Sequence, residues 1–181
     1  MSLEIVLGPM FSSKSGYALS YVRRQHAIGK SVIVIKPNID KRYSDESVLI
    51  THDKEQTPCM LWDMHLDLNP AIPEIRNADC IVIEEAQFMS GLVTFVSYVL
   101  QAYKKDILLV GLDGDARQIR FGCLLDCIPW ATKVTKLCAF CSRCRDGTLA
   151  PFTRKITNDD TLIDVGGSEK YESVCLKHLR D

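Results

Sequence analysis

Short apolar runs alternate with helix-like patterns along most of the chain. Apolar positions recur at near-helical spacing over residues 15–28, and a second helix is predicted over 92–104. Between and around these helices lie four runs rich in Ile, Val and Leu, at residues 3–7, 31–37, 79–88 and 106–114. Continuously apolar strands that alternate with helices are typical of a parallel sheet covered on both faces. The pattern therefore predicts an α/β fold.

The pattern changes after Pro129, where polar, β-prone pieces replace the apolar runs and a short helical stretch ends the chain. We therefore expect an α/β domain over residues 1–130 and a small appendage over 131–181. Residues 38–78 have no clear periodicity, and their prolines mark loops.

Composition narrows the possible partners. The 181 residues carry a net charge of −1, which argues against a protein that binds nucleic acid through a basic surface and favours a small charged ligand. The chain has neither a secretory signal pattern nor an apolar run of membrane-spanning length. We expect a soluble, cytoplasmic protein with no membrane partner.

A candidate phosphate-binding loop, "LGPMFSSKSG" at residues 7–16, joins the first predicted strand to the first predicted helix. In the pattern GxxxxGK followed by Ser or Thr, backbone N–H groups surround the phosphates, the Lys pairs with them, and the hydroxyl reaches Mg²⁺. Gly8, Lys14 and Ser15 match this pattern, whereas Ser13 replaces the second glycine. The candidate loop residues are Gly8, Pro9, Met10, Phe11, Ser12, Ser13, Lys14 and Ser15.

The alternative to a nucleotide site is a chance Gly/Ser turn, which the strand and helix on either side make less plausible. The effect of Ser13 depends on its backbone. A positive φ there would strain its Cβ by about 1 kcal/mol or more, whereas a negative φ would accommodate serine easily.

Two consecutive acids end the third predicted strand in "IVIEEAQF". An acid at a strand end is the Walker B arrangement, in which a carboxylate holds Mg²⁺ or its water and the next residue can activate the nucleophile. We assign Glu84 to the Mg²⁺ and Glu85 to the general base; the alternative is a solvated strand end. Ligands of parallel sheets bind beyond the carboxyl ends of the strands, where the loop, the acids and the "LDGD" turn all fall.

Cysteines near the C-terminus indicate a metal site. "CAFC" at 138–141 and "CLKH" at 175–178 match a closed, tetrahedral zinc site formed by Cys138, Cys141, Cys175 and His178. Cys144 follows Cys141 at the same spacing and remains an alternative ligand to it. Free surface thiols beside an unrelated histidine are the alternative to a metal site.

Nine segments in order resemble the thymidine kinases of the tetrameric, zinc-containing class found in animals, bacteria, poxviruses and phages: "GPMFSSKS", "KPNIDKRY", "THD", "EEAQF", "GLDGDARQIRFG", "CAFC", "FTRK", "VGGSEKY" and "SVCLKH". The resemblance covers nearly the whole chain. It implies transfer of the γ-phosphate of ATP to the 5′-hydroxyl of thymidine or deoxyuridine with Mg²⁺, in nucleoside salvage for DNA synthesis. It also implies a RecA-like domain with a zinc-bearing lid, a homotetramer, and feedback by thymidine triphosphate.

The resemblance also implies roles for residues that the sequence pattern leaves unassigned. Asp53 of "THD" would lie near the Mg²⁺ waters and Arg42 near the phosphates. Residues 165–171 would form a lasso that grips the pyrimidine through backbone groups of Val165, Gly166 and Gly167. The base pocket would consist of Met10, Phe88, Leu112, Phe121, Thr153 and Tyr171.

The chain departs from the family at Ser13, at Glu84, which replaces aspartate, and at Ala116, where many members have an aromatic residue. The leading hypothesis is an active thymidine kinase. The second is a catalytically impaired relative that still binds nucleotide and zinc and acts as a binding or regulatory protein. The third is an ATPase with another acceptor. Lys14 and Glu85 are both present, which favours activity.

Overall fold

The computed structural model describes residues 1–38, 48–50, 56–157, 164 and 166–180. Its strands are, in chain order, β1 (Ser2–Leu7), β2 (Val32–Pro37), β3 (Val48–Ile50), β4 (Gln56–Pro58), β5 (Met60–Trp62), β6 (Cys80–Ile83), β7 (Asp106–Gly111), β8 (Lys133–Lys136), β9 (Ala139–Phe140), β10 (Leu149–Ala150), β11 (Phe152–Lys155) and β12 (Tyr171–Val174). The α-helices are α1 (Lys14–Ala27), α2 (Pro73–Asn77) and α3 (Leu92–Tyr98).

Six of these strands form one sheet in the order β5-β2-β6-β7-β1-β8, and every neighbouring pair is parallel. Alternate side chains of the central strands enter two separate cores. In β6, Ile81 and Ile83 pack on the side of α3, whereas Cys80 and Val82 pack on the side of α1. Because both faces are buried, the strands need continuously apolar sequences. The predicted α/β fold, with a parallel sheet between helices, is confirmed.

Several boundaries differ from the expected ones. The predicted run at residues 79–88 contains a shorter strand, β6, which ends at Ile83, after which a 3₁₀ turn forms at Ala86–Phe88. Helix α3 ends at Tyr98, and the remainder of the predicted helix is a π-helical turn at Val99–Tyr103.

The largest difference concerns the expected boundary at residue 131. Strand β8 pairs with β1, with Glu4 opposite Lys133 and Leu7 opposite Lys136, so the central sheet extends to Lys136. The smaller structure begins at β9. It consists of two antiparallel pairs, β9 with β10 and β11 with β12, around a small core that contains Ala139, Cys141, Ala150, Val174 and Cys175.

Among the described residues, no helix is both long enough and apolar enough to cross a membrane.

Candidate functional site

The candidate phosphate loop lies between β1 and α1 and is held together by its own side chains. The Lys14 ammonium and the Ser12 hydroxyl both donate to the carbonyl oxygen of Pro9, at 2.7 Å and 2.8 Å. A Cβ at Gly8 would lie 2.7 Å from the Leu137 carbonyl oxygen, so only glycine permits this close approach. The loop leads directly into the N-terminus of α1, whose free N–H groups favour an anion.

Ser13 has φ 60° and ψ 29°, a left-handed conformation. This is the strained case of the two that the sequence left open, because glycine adopts this conformation without a steric cost. Phe11 also has a positive φ, of 64°, and its side chain packs against the small C-terminal core.

Lys14 is a buried lysine beside acidic groups; only 9% of its surface is exposed. Burial lowers the pKa of its ammonium, while the nearby charges of Glu85, Glu84 and Asp113 act in the opposite direction. Lys14 and both acids of "IVIEEAQF" therefore lie on the same side of the molecule. Asp113, which was not among the sequence-predicted site residues, follows β7 at the same edge and pairs with Lys136 at 2.6 Å.

Glu84 is buried, with 3% of its surface exposed, and the Ser15 hydroxyl donates a hydrogen bond to its Oε1. Burial and the neighbouring charge of Glu85 raise the pKa of the Glu84 carboxyl to about 7. Its Oε2 is buried and has no hydrogen-bond partner within the described part of the chain. An orphaned carboxylate oxygen beside a serine hydroxyl fits a hard cation such as Mg²⁺, which prefers oxygen ligands.

Glu85 is half-buried and has a left-handed backbone, with φ 50° and ψ 42°. Strained non-glycine backbone tends to occur at functional sites, where the surrounding structure holds it in place. The Gln87 amide donates to Glu85 Oε2 at 2.6 Å. Sequence reasoning did not single out Gln87, although it belongs to the segment "EEAQF".

The expected base-pocket residues come together in small groups. The rings of Phe88 and Phe121 meet edge to face, with centroids 5.1 Å apart. The Met10 N–H donates to Thr153 Oγ1 at 2.9 Å, which joins the phosphate loop to β11. Leu112, which follows β7, donates its N–H to the Gln87 side chain at 3.0 Å.

The described part of the lasso segment ends at β12. The Tyr171 hydroxyl donates to the carbonyl oxygen of Asp164 at 2.7 Å, and its N–H donates to the carbonyl oxygen of Gly167 at 3.0 Å. Gly166 and Gly167 precede Tyr171 in the same segment. Arg42, Asp53 and Val165, which the resemblance assigned to the site, lie outside the described residues.

The cysteine cluster differs from the expected one by a single ligand. The possible ligand atoms of Cys141, Cys144, Cys175 and His178 all lie within 4.8 Å of one another, whereas Cys138 is not part of this group. The expectation that Cys138 belongs to the set is therefore wrong, and Cys144 takes its place. Both "CAFC" and "CSRC" have the spacing of a metal-binding pair, so spacing alone could not distinguish them.

The distances within this cluster fit a tetrahedral zinc site. The Sγ atoms of Cys144 and Cys175 are 3.8 Å apart, and His178 Nδ1 lies 3.4–3.6 Å from the Sγ atoms of Cys141, Cys144 and Cys175. A tetrahedral Zn²⁺ with Zn–S bonds of about 2.3 Å and Zn–N bonds of about 2.0 Å places its ligands about 3.5–3.8 Å apart. The four residues are therefore able to hold zinc.

The surroundings of the cluster also suit a metal. Burial would raise the pKa of the Cys141 thiol, but N–H groups of residues 144, 175 and 143 together lower it to about 6, which favours the thiolate. The Arg154 guanidinium donates to the carbonyl oxygen of His178 at 2.8 Å and also pairs with Glu172 at 2.8 Å. Contacts of this kind hold the ligand residues in place around a metal.

Comparison with known proteins identifies the family. The sequence profile described as "Thymidine kinase" matches residues 1–179. The chain belongs to the thymidine kinase family. It is 36% identical over 179 residues to thymidine kinase a of Arabidopsis thaliana, a match that covers 98% of this chain and 74% of the plant protein.

Two viral thymidine kinases match over nearly their whole length. The enzyme of Yaba monkey tumor virus is 35% identical over 173 residues, covering 96% of this chain and 91% of the viral protein. The thymidine kinase of Choristoneura fumiferana entomopoxvirus is 33% identical over 180 residues, covering 97% of this chain and 94% of the viral protein. Membership of the thymidine kinase family supports a phosphoryl-transferring activity and confirms the resemblance seen in the sequence motifs.

Proposed function

We propose that this chain transfers the γ-phosphate of ATP to the 5′-hydroxyl of thymidine, using Mg²⁺, and that deoxyuridine also serves as an acceptor. The observation that carries the proposal is the position of Lys14, which lies within electrostatic reach of both Glu84 and Glu85 at the carboxyl edge of the sheet. A candidate phosphate-binding cation near a candidate metal ligand and a candidate base, in a member of the thymidine kinase family, supports this reaction.

The donor side of the proposed reaction consists of the loop 8–15 and the N-terminus of α1. The loop N–H groups bind the phosphates, and the Lys14 ammonium pairs with their oxygens once it leaves the Pro9 carbonyl. Burial strengthens this pairing because water screens it less. Ser15 Oγ and Glu84 would hold Mg²⁺, which when bound neutralises charge on the phosphate oxygens.

The acceptor side depends on Glu85. Phosphoryl transfer requires mainly that donor and acceptor be aligned and that charge be neutralised. Gln87 holds Oε2 of Glu85, so we assign Oε1 to accept the proton of the 5′-hydroxyl. Glu85 is half-buried, which is compatible with a base that an acceptor must be able to reach.

The nucleoside would bind between the Phe88–Phe121 pair and the strands of the small C-terminal structure. Met10, Leu112, Thr153 and Tyr171 would line the base pocket, and the backbone of Val165, Gly166 and Gly167 would match the N3–H and carbonyl groups of the pyrimidine. Backbone groups suit this recognition because a pyrimidine presents both a donor and acceptors. Arg42 and Asp53 retain their proposed roles near the phosphates and the Mg²⁺ waters.

We further propose that Cys141, Cys144, Cys175 and His178 bind a structural Zn²⁺ that stabilises the small C-terminal part. The division into a nucleotide-binding domain and a zinc-bearing lid, the homotetramer, the feedback by thymidine triphosphate and the cytoplasmic location remain proposals that rest on the family.

The experiment that tests the function incubates the protein with ATP, Mg²⁺ and each nucleoside in turn. Formation of thymidine monophosphate, with less product from other nucleosides, supports the proposal. Binding of thymidine without turnover would instead identify a catalytically impaired relative. ATP hydrolysis at the same rate with and without nucleoside would identify an ATPase with another acceptor.

A further inference from the structure

We propose that Gln87 is a positioning residue that orients the Glu85 carboxylate for proton abstraction. The inference rests on the proposed function and adds to it a residue that neither the motif pattern nor the family assignment gave a role. It depends on the contacts of one buried side chain and on two glycines that leave space for the residue that carries it.

The Gln87 amide connects two parts of the site. It is buried, with 4% of its surface exposed. Its Nε2 donates to Glu85 Oε2 at 2.6 Å, and its Oε1 accepts the N–H of Leu112 at 3.0 Å. The first contact reaches the proposed base, and the second fixes the amide to the backbone just beyond β7.

The Leu112 contact determines which way the amide faces. A backbone N–H can only donate, so it must meet the oxygen end of the amide, and the NH₂ end must then point towards Glu85. A carboxylate can only accept when ionised, so the NH₂ group suits the base in the form in which it takes up a proton. The hydrogen bond holds Oε2 and leaves Oε1 for the acceptor hydroxyl.

Two glycines make room for Gln87, Gly111 beside its side chain and Gly122 beside its backbone. A Cβ at Gly111 would collide with Gln87 Oε1 and would lie 2.8 Å from Leu124 Cδ2. A Cβ at Gly122, where φ is +62°, would collide with the Gln87 carbonyl group. Glycine is thus required on both sides of Gln87, and the packed surroundings leave its amide little freedom to move.

The backbone of this segment is strained as well. Glu85 has a positive φ, and Gln87 lies in the 3₁₀ turn that follows. Without the amide, the Glu85 side chain would lose the hydrogen bond to its Oε2. Displacement of a catalytic group by about 1 Å can lower the rate about 100-fold.

The test compares Gln87→Met, which removes both amide contacts, with Gln87→Glu, which keeps the shape and an acceptor for Leu112 but has no donor for Glu85 when ionised. We expect kcat for thymidine phosphorylation to fall about 10- to 100-fold in both variants, with the KM values for thymidine and ATP within about 3-fold of the original. Gln25→Met serves as the matched control, because it makes the same exchange towards the far end of α1, and it should leave kcat unchanged.

A double-mutant cycle separates positioning from a structural role. If Gln87 acts through Glu85, Gln87→Met should slow the Glu85→Gln enzyme little further in single-turnover assays, because the base is already lost. Two losses that multiply would overturn the inference. If Gln87→Met fails to fold in thermal melts, Gln87→Glu carries the test alone. Unchanged kcat throughout about pH 7–9, a range over which the introduced carboxyl should ionise and lose its donor, would also overturn the inference.

These results also distinguish the inference from the proposed function. If the unaltered protein forms no thymidine monophosphate, the proposed function fails. If it does and Glu85→Gln abolishes turnover, unchanged kcat in both Gln87 variants contradicts the positioning role alone.

Discussion

Ser13 occupies a position that suits glycine better. Its φ of 60° places its Cβ in a strained conformation, and its side chain makes no capping hydrogen bond to α1. Left-handed backbone costs an L-residue about 1–2 kcal/mol. Serine in the phosphate loop is therefore an energetic handicap that still allows the loop to form.

Replacement of Ser13 by glycine tests this interpretation. Relief of strain exceeds the extra entropy that glycine adds to the unfolded chain, so we expect Ser13→Gly to raise the free energy of unfolding by up to about 1 kcal/mol. Ser20→Gly, in the interior of α1, should instead lower it by about 0.5 kcal/mol. Denaturant unfolding measures both, and a less stable Ser13→Gly protein would contradict the strain argument.

Asp106 illustrates a charge that stabilises the fold away from the candidate site. It begins β7, at the opposite end of the strand from Leu112, and accepts hydrogen bonds from Lys30 at 2.7 Å and Ser2 at 2.8 Å. Burial alone would raise the pKa of this carboxyl, but the Lys30 and Ser2 contacts lower it to about 2, from a usual value of 3.8.

The lowered pKa of Asp106 predicts the sign of a pH effect. The ionised carboxylate stabilises the folded state above about pH 4, and this contribution is lost as the pH falls towards 2. Asp106→Asn should therefore be less stable at pH 7 and should lose less stability between pH 4 and pH 2. Denaturant unfolding across this range measures the difference; equal pH dependence in both proteins would contradict the assignment.

The central strands could be predicted because burial on both faces requires continuously apolar sequence. Strand β8 could not be assigned to the sheet in this way. It forms the sheet edge, with most of its side chains exposed, and its sequence "KVTK" contains two lysines. Edge strands often carry lysine, which opposes further pairing, so the polar sequence looked like the beginning of a separate part.

The Cys₃His type of the cluster was predicted, but not all of its members. Three cysteines at equal spacing, Cys138, Cys141 and Cys144, allow two overlapping pairs. The fold distinguishes them: Cys138 precedes β9, whereas Cys141 and Cys144 share the turn that follows it, where the Arg145 N–H bonds the Cys141 carbonyl. The spacing of the cysteines does not reveal the pairing of β9 with β10, and so it cannot show which cysteines share the turn after β9.

Two matched substitutions test the corrected ligand set. Cys144→Ser should lower the zinc content and the melting temperature, because a structural site needs all four ligands. Cys138→Ser should retain one zinc per chain. Metal analysis of both purified proteins measures this, and the reverse pattern would restore the original expectation based on "CAFC".

The candidate active site depends on the order of the strands in the whole sheet. Lys14 follows β1, Glu84 and Glu85 follow β6, and Asp113 follows β7, which lies between them. Sequence reasoning placed the loop and the acids at one edge because carboxyl ends of parallel strands meet there. It could not foresee Gln87, whose role depends on space left by Gly111 and Gly122.

The small C-terminal structure contacts the candidate phosphate loop. The hydrogen bond between Met10 and Thr153 joins the phosphate loop to β11, and the Arg154–Glu172 pair joins β11 to β12 beside the cysteine cluster. We therefore expect the donor and acceptor chemistry to meet at Glu85.

The most direct measurement is the turnover of thymidine by Glu85→Gln, with thymidine affinity measured in parallel by calorimetry. If Glu85 is the general base, kcat should fall by about 10²- to 10⁴-fold while the Kd for thymidine changes less than about 3-fold. Undiminished turnover, or an equal loss of turnover and affinity, would contradict the central claim that Glu85 takes the proton from the acceptor opposite Lys14.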